Sequence, residues 1–141
     1  MKVENEVIED SLKERLPFGF KDTGIAKDAK ATLTSYKVTE RGEQFSKNVG
    51  QIVWFAYLDM SEYLFGSYFN YTPPAFTVEW YTPNGERFSE QKNIRPDYGK
   101  SFIRSELIIP ENLGEYIIGT WHVIVRNDKG RPIDRRTFKI F

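Results

Sequence analysis

From residue 31 onward the apolar side chains fall at every second position in a succession of short runs, the period of half-buried β-strands. Ala31 to Thr39 is rich in Thr, Tyr and Val and predicts a strand. Val49 to Leu58, VGQIVWFAYL, is apolar at nearly every position, which predicts a central strand covered on both faces. Phe76, Val78 and Trp80 alternate with Thr77, Glu79 and Tyr81, predicting one core face and one polar face. Pro83-Asn84-Gly85 then supplies turn chemistry. A three-residue loop there sets Trp80 opposite Phe88 and Tyr81 opposite Arg87; a two-residue loop would set Trp80 against Ser89. The longer loop is preferred because it keeps the apolar residues together. Ser101 to Ile109 places Ile103, Leu107 and Ile109 on one face. Trp121, Val123 and Val125 alternate inward before a turn at Asp128-Lys129-Gly130, with Val125 opposite Ile133 on the return. Asp134, Arg135 and Arg136 interrupt that return and Phe138 resumes it on the other parity, which predicts a bulge or kink.

The first thirty residues read differently. Val3, Val7, Ile8, Leu12 and Leu16 share one stripe of a short amphipathic helix that Pro17 and Gly19 would end. Residues 17–30 show no sustained period and read as a connector. The chain thus divides into an N-terminal helix and connector over 1–30 and a sandwich domain over 31–141. Six or seven short strands separated by turn signals, three of them carrying a tryptophan, point to an all-β sandwich.

The closing run Gly119-Thr120-Trp121-His122-Val123-Ile124-Val125, then Asn127-Asp128-Lys129-Gly130 and Phe138-Lys139-Ile140, resembles the final hairpin of bacterial immunoglobulin-like and macroglobulin-like modules. Ile108-Ile109-Pro110 and Gly114-Glu115-Tyr116 look like the strand and corner that lead into such a hairpin. The resemblance spans roughly the last forty residues and lies in core and turn positions. It implies an antiparallel immunoglobulin-like β-sandwich of about seven strands, of a kind usual in secreted or surface proteins. It implies no catalytic residues, because such positions build a fold and not a site.

Charge and rare residues narrow the function. Lys and Arg total 20 against 20 Asp and Glu, which lacks the basic excess that nucleic-acid binding draws on. With no Cys and a single His there is no disulfide framework, thiolate nucleophile or cysteine-held metal, and no cofactor or metal ion is expected. No run approaches the roughly 20 apolar residues that span a bilayer, and the acidic opening MKVENEVIED is unlike a secretory signal. Localisation leans extracytoplasmic only through the resemblance.

The unusual segment is 59–74, DMSEYLFGSYFNYTPP, where Tyr63, Phe65, Tyr68, Phe69 and Tyr71 crowd into a long connection. Asp59 and Glu62 have the spacing of a capping box, which predicts a short helix before Gly66. Each aromatic side chain carries about 150–250 Å², so these rings either plug an open end of the sandwich or form a binding face. With Tyr81 they are the candidate ligand- or partner-binding residues. The reading is a non-catalytic module that contacts another protein or a larger assembly through this loop. The alternative is a carbohydrate-binding module in which exposed tyrosines stack on the sugar rings of a polysaccharide. Paired carboxylates such as Asp59 with Glu62 or Glu40 with Glu43 are too ordinary on a surface to signal an enzyme. Asn127 to Gly130 reads as a hairpin turn and not a calcium loop. Arg131, Arg135 and Arg136 read as a basic edge that discourages strand pairing with other chains.

Overall fold

The computed structural model describes residues 20–58, 75–96 and 101–141, with the backbone alone at Leu113. The helix predicted before residue 17 and the aromatic segment 59–74 lie outside the described residues. Nine strands are described: β1 (Phe20–Ala31), β2 (Tyr36–Arg41), β3 (Gln44–Phe45), β4 (Gln51–Leu58), β5 (Phe76–Tyr81), β6 (Arg87–Ile94), β7 (Phe102–Ile108), β8 (Gly119–Arg126) and β9 (Pro132–Ile140). A 3-10 helix, Glu111–Ile117, precedes β8. The strands form two sheets: sheet A in the order β2-β1-β4-β7 and sheet B in the order β3-β9-β8-β5-β6. Among these strands all pairings are antiparallel except the short parallel contact of β3 with β9.

The inward faces build one apolar core, the arrangement a two-sheet fold requires. Ile25, Ile52, Trp54, Ala56, Ile103 and Leu107 of sheet A meet Val78, Trp80, Trp121, Val123, Val125 and Phe138 of sheet B. All three tryptophans are fully buried, so each indole N–H needs an acceptor inside the protein. Trp54 donates across the sandwich to Asp134 Oδ2 at 2.9 Å. Trp80 donates the other way, to Ser105 Oγ at 3.1 Å. Trp121 donates to the carbonyl of Ile117 at 2.7 Å and so ties down the 3-10 helix. Ser105 donates to Gln91, whose amide bonds the Glu106 carbonyl, closing the β6–β7 side of the sandwich.

Four features differ from the pattern read in the sequence, each for a physical reason. The strand expected over 31–39 is interrupted by a turn at Thr32–Ser35, where the Thr32 hydroxyl accepts from the Ser35 amide at 3.0 Å, so Ala31 closes β1 and Tyr36 opens β2. Residues 20–30, read as part of the connector 17–30, belong to β1, the longest strand among the described residues; their Gly24, Ala26 and Ala29 give little apolar signal because other side chains must lie upon them. Trp80 pairs with Ser89, whereas Tyr81 pairs with Arg87 as the three-residue loop requires, since Phe88 is the extra residue of a bulge. The bulge costs no apolar burial: Phe88 packs edge-on against Trp121 at 5.3 Å. Val125 lies opposite Asp134 and not Ile133, because the bulge in β9 falls between Pro132 and Asp134 and turns the carboxylate inward.

Sheet A has a second apolar face. Val53 and Phe55, alternating with the core residues of β4, are fully buried in a cluster with Ala26, Ala29 and Phe102. Ala26 and Ala29 stand three apart yet share this cluster, so β1 turns over between them and carries the β1–β2 hairpin back across the sheet. Tyr36 lands on Tyr57 at 4.8 Å and on Phe102 at 5.7 Å. Its hydroxyl donates to Asp22 at 2.6 Å. One sheet is thereby covered by its own hairpin.

Candidate functional site

Of the six residues nominated from the sequence, Tyr81 is described, at the end of β5 on the outward side of sheet B. Tyr63, Phe65, Tyr68, Phe69 and Tyr71 lie outside the described residues.

Strand register assembles the surroundings of Tyr81 row by row. Because Val78 and Trp80 face the core, Thr77, Glu79 and Tyr81 face outward. Tyr81 pairs with His122 on β8, and His122 with Thr137 on β9. Glu79 pairs with Ile124, and Ile124 with Arg135. On the other flank β6 sets Arg87 beside Tyr81 and Glu90 beside Glu79. Five cations (Arg87, Lys92, Arg126, Arg135 and Lys139) therefore share this face with two carboxylates, Glu79 and Glu90.

The charges are held in place. Glu79 is only 7% exposed and accepts from Arg126 Nε at 2.7 Å, with Arg87 Nη1 at 3.7 Å from its other oxygen. Arg126 also reaches the Gly130 carbonyl at 3.2 Å, and its bond to Glu79 raises its pKa further. Arg87 bridges on to Glu90 at 2.7 Å, and Lys92 approaches Glu90 at 3.4 Å. Burial, and after it the charge of Glu79, raises the pKa of Tyr81, so the phenol keeps its proton. Burial, and after it the neighbouring Arg135, lowers the pKa of His122. The imidazole is neutral at pH 7, and its Nδ1 is buried without a hydrogen-bond partner. The centre of the face thus carries uncharged rings, Tyr81 and His122, beside Ile124, and its flanks carry oriented guanidinium groups.

Two other residues singled out in the sequence, Asn127 and Asp134, have structural roles. Asn127 Oδ1 accepts from the amides of Lys129 at 3.0 Å and Arg131 at 2.9 Å, which makes it the organiser of the β8–β9 turn. Gly130 takes φ 79° there, a left-handed position that suits glycine. Asp134, read in the sequence as part of an interruption, is 3% exposed and gathers Trp54 Nε1, Arg136 Nε at 3.1 Å and the Arg135 amide at 3.0 Å. The signal that could have found it was a lone carboxylate at an inward register position in a chain with three tryptophans to satisfy. Among the described residues no group of three or more His, Asp or Glu side chains gathers as a metal site. No protein-family model matches the chain, and no curated protein matches it.

Proposed function

We propose that the chain is a non-catalytic recognition domain of immunoglobulin-like type that contacts another protein through the outward face of sheet B, with Tyr81 at its centre and the aromatic segment 59–74 contributing. The immunoglobulin-like assignment is supported by strand order. A five-stranded sheet B carries the terminal β8–β9 hairpin and a buried Trp on the adjacent β5, while β3 pairs in parallel with β9 after β1 has paired in the other sheet. The observation that carries the contact reading is the juxtaposition of Tyr81, His122 and Ile124 with Arg87 and Arg126. Aromatic and arginine side chains on a preordered frame are what protein interfaces enrich, because they bring large contact area and hydrogen bonds at little entropic cost.

The test is site-specific photo-crosslinking in extracts of the native cells. A benzophenone side chain at position 81 is expected to yield one discrete adduct, lost when Arg87 and Arg126 are changed to glutamate. The same label at Thr39 on β2 is expected to yield none. Equal labelling from both positions refutes the reading. So does retardation in polysaccharide affinity gels that Tyr81→Ala abolishes, which would make the ligand a sugar.

A further inference from the structure

Where β1 and β2 of sheet A approach β9 of sheet B they line an open hollow of about 420 Å³. Its walls include Gly24, Arg41, Gly42, Arg136 and Thr137, with Arg135 and Glu43 also on the lining. Arg41 and Arg136, from two strands ninety-odd positions apart in sequence, line it together with one carboxylate residue, Glu43.

Both arginines are held from behind by carboxylates that do not line the hollow. Arg41 forks onto Asp22, with Nη2 at 2.8 Å from Oδ1 and Nη1 at 3.1 Å from Oδ2, and Nη2 also donates to the Thr23 carbonyl at 2.7 Å. Its guanidinium carbon sits 5.2 Å from the centre of the Phe55 ring. Asp22 stays charged: burial alone would raise its pKa, but hydrogen bonds from Arg41 and Tyr36 outweigh burial and hold it below the usual carboxylate value. Across the hollow, Arg136 Nε donates to the buried Asp134 at 3.1 Å. The arrangement is the same on both sheets: a fixed carboxylate orients a guanidinium whose side chain remains partly exposed, 49% for Arg41 and 35% for Arg136.

A guanidinium has five N–H donors. The bonds described use three of them on Arg41 and one on Arg136. The remainder belong to two oriented cations that line the same hollow. Gly24 is part of this construction, because a Cβ there would meet Arg41 Nε at 3.0 Å and lift the guanidinium off the strand. Gly42 leaves open space on the same wall.

We propose that this hollow is an oxyanion site that takes a phosphate or sulfate group, bridged between Arg41 of one sheet and Arg136 of the other. The chemistry is charge-assisted hydrogen bonding: Arg136 offers its Nη1/Nη2 fork and Arg41 the single N–H groups that Asp22 and the Thr23 carbonyl leave over. The volume exceeds what a bare phosphate fills and lies in the range of small-molecule pockets, about 300–1,000 Å³, so the group is either the free ion or the monoester of a small polar molecule. The site stands apart from Tyr81 and does not depend on the protein-contact reading.

The test is titration of the full chain with sodium phosphate at constant ionic strength, followed by ¹⁵N NMR, with sodium chloride as the reference salt. Saturable shifts centred on the amides of Gly24, Gly42 and Thr137 and on the side-chain Nε of Arg41 and Arg136 are expected. Arg136→Lys, which keeps the charge and loses the fork, is expected to weaken binding about tenfold, and Arg136→Gln at least as much; Arg87→Gln is expected to leave it unchanged. Glycerol phosphate separates the two sources: at least tenfold tighter binding than inorganic phosphate identifies a monoester, and equal binding identifies the free ion. Linear, non-saturating shifts no larger than those from chloride overturn the proposal, as do saturable shifts centred elsewhere. The wild-type titration separates these outcomes even if a variant fails to fold.

Discussion

Replacing Asp134 tests whether a single carboxylate clasps the two sheets. Its Oδ2 accepts from Trp54 Nε1 of sheet A and from Arg136 Nε of its own strand, and its Oδ1 accepts from the Arg135 amide. The Thr23 hydroxyl stands farther away at 3.4 Å and already bonds the Phe55 carbonyl at 2.9 Å, so it adds little. Asp134→Asn keeps the shape. If the amide oxygen takes the place of Oδ2, the amide NH₂ confronts the Arg135 N–H, donor against donor. An unmet buried donor costs about 1–3 kcal/mol. The bond to Arg136 loses its charge assistance, which accounts for about half the strength of such bonds, roughly another 1 kcal/mol. The expected loss is therefore about 2–4 kcal/mol, a large part of the 5–15 kcal/mol that stabilises an ordinary domain. Urea unfolding with matched slopes measures it. A double-mutant cycle with Trp54→Phe isolates the indole bond and should return about 1.5–3 kcal/mol of coupling, the range for a hydrogen bond to a charged group. A loss below about 0.5 kcal/mol for Asp134→Asn, the range of ordinary surface changes, would refute the clasp.

The remaining predictions concern other joints of the same frame. Ser105→Ala leaves the Trp80 indole without its acceptor and unties Gln91, so a loss of about 1–3 kcal/mol is expected in the same urea assay. Asp22 has a depressed pKa, so the stability it contributes is present above its ordinary value of 3.8 and is lost as pH falls through the folded-state value; Asp22→Asn should flatten the acid limb of a stability–pH curve below about pH 4. Tyr36 has a raised pKa, chiefly through its bond to Asp22, so its contribution is present below 10.0 and is lost as pH rises through the higher folded-state value. Tyr36→Phe should remove that alkaline loss. His122 should titrate below 6.5 by ¹H NMR, and Arg135→Gln should bring it part of the way back, with burial keeping the rest of the shift.

Legibility in the sequence follows the density of the apolar signal. β4, β5, β7 and the β8–β9 hairpin carry alternating or continuous apolar residues, and the pattern places them within a residue or two, because burial there is done by large side chains that announce themselves. β1 escapes it, since Ile25 is the one large apolar side chain among its buried positions; the others are Gly24, Ala26 and Ala29, and a small residue is buried by what lies on it, here the side chain of Arg41 and the ring cluster around Phe55. Register is harder than strand identity. Bulges at Phe88 and after Pro132 each shift the count by one, and both are decided by tertiary partners, the Trp121 ring and the Trp54 indole, that no local pattern contains. The same limit hides Asp134 and the Arg41–Arg136 pair, whose meaning depends on residues brought together from opposite ends of the described chain.

The two sheets are not equivalent, and the difference bears on where a partner is met. Sheet A carries a second apolar face, and the protein uses its own β1–β2 hairpin to cover it, with Tyr36 laid over Tyr57 and Phe102 and Arg41 over Phe55. An apolar face of that size left bare would associate indiscriminately. The described outward positions of sheet B are mostly polar or charged, with Ile124 among them, and its two carboxylates are paired: Glu79 with Arg126, Glu90 with Arg87. A face with ring surface at its centre and fixed charges on its flanks stays in water at little cost and still discriminates, since a partner must match the guanidinium positions or leave them unpaired. Covering one face and polarising the other is a coherent division, and it is why the proposed contact is placed on sheet B. Arg126→Leu puts that division to the test. It strips the nearer of two charge partners from a carboxylate that is only 7% exposed and leaves Arg87 at 3.7 Å, so stability should fall by about 1–3 kcal/mol. The adduct from position 81 should vanish even at temperatures where the fold survives. An adduct that persists while the fold is intact would mean that Arg126 serves only the sheet and takes no part in the contact.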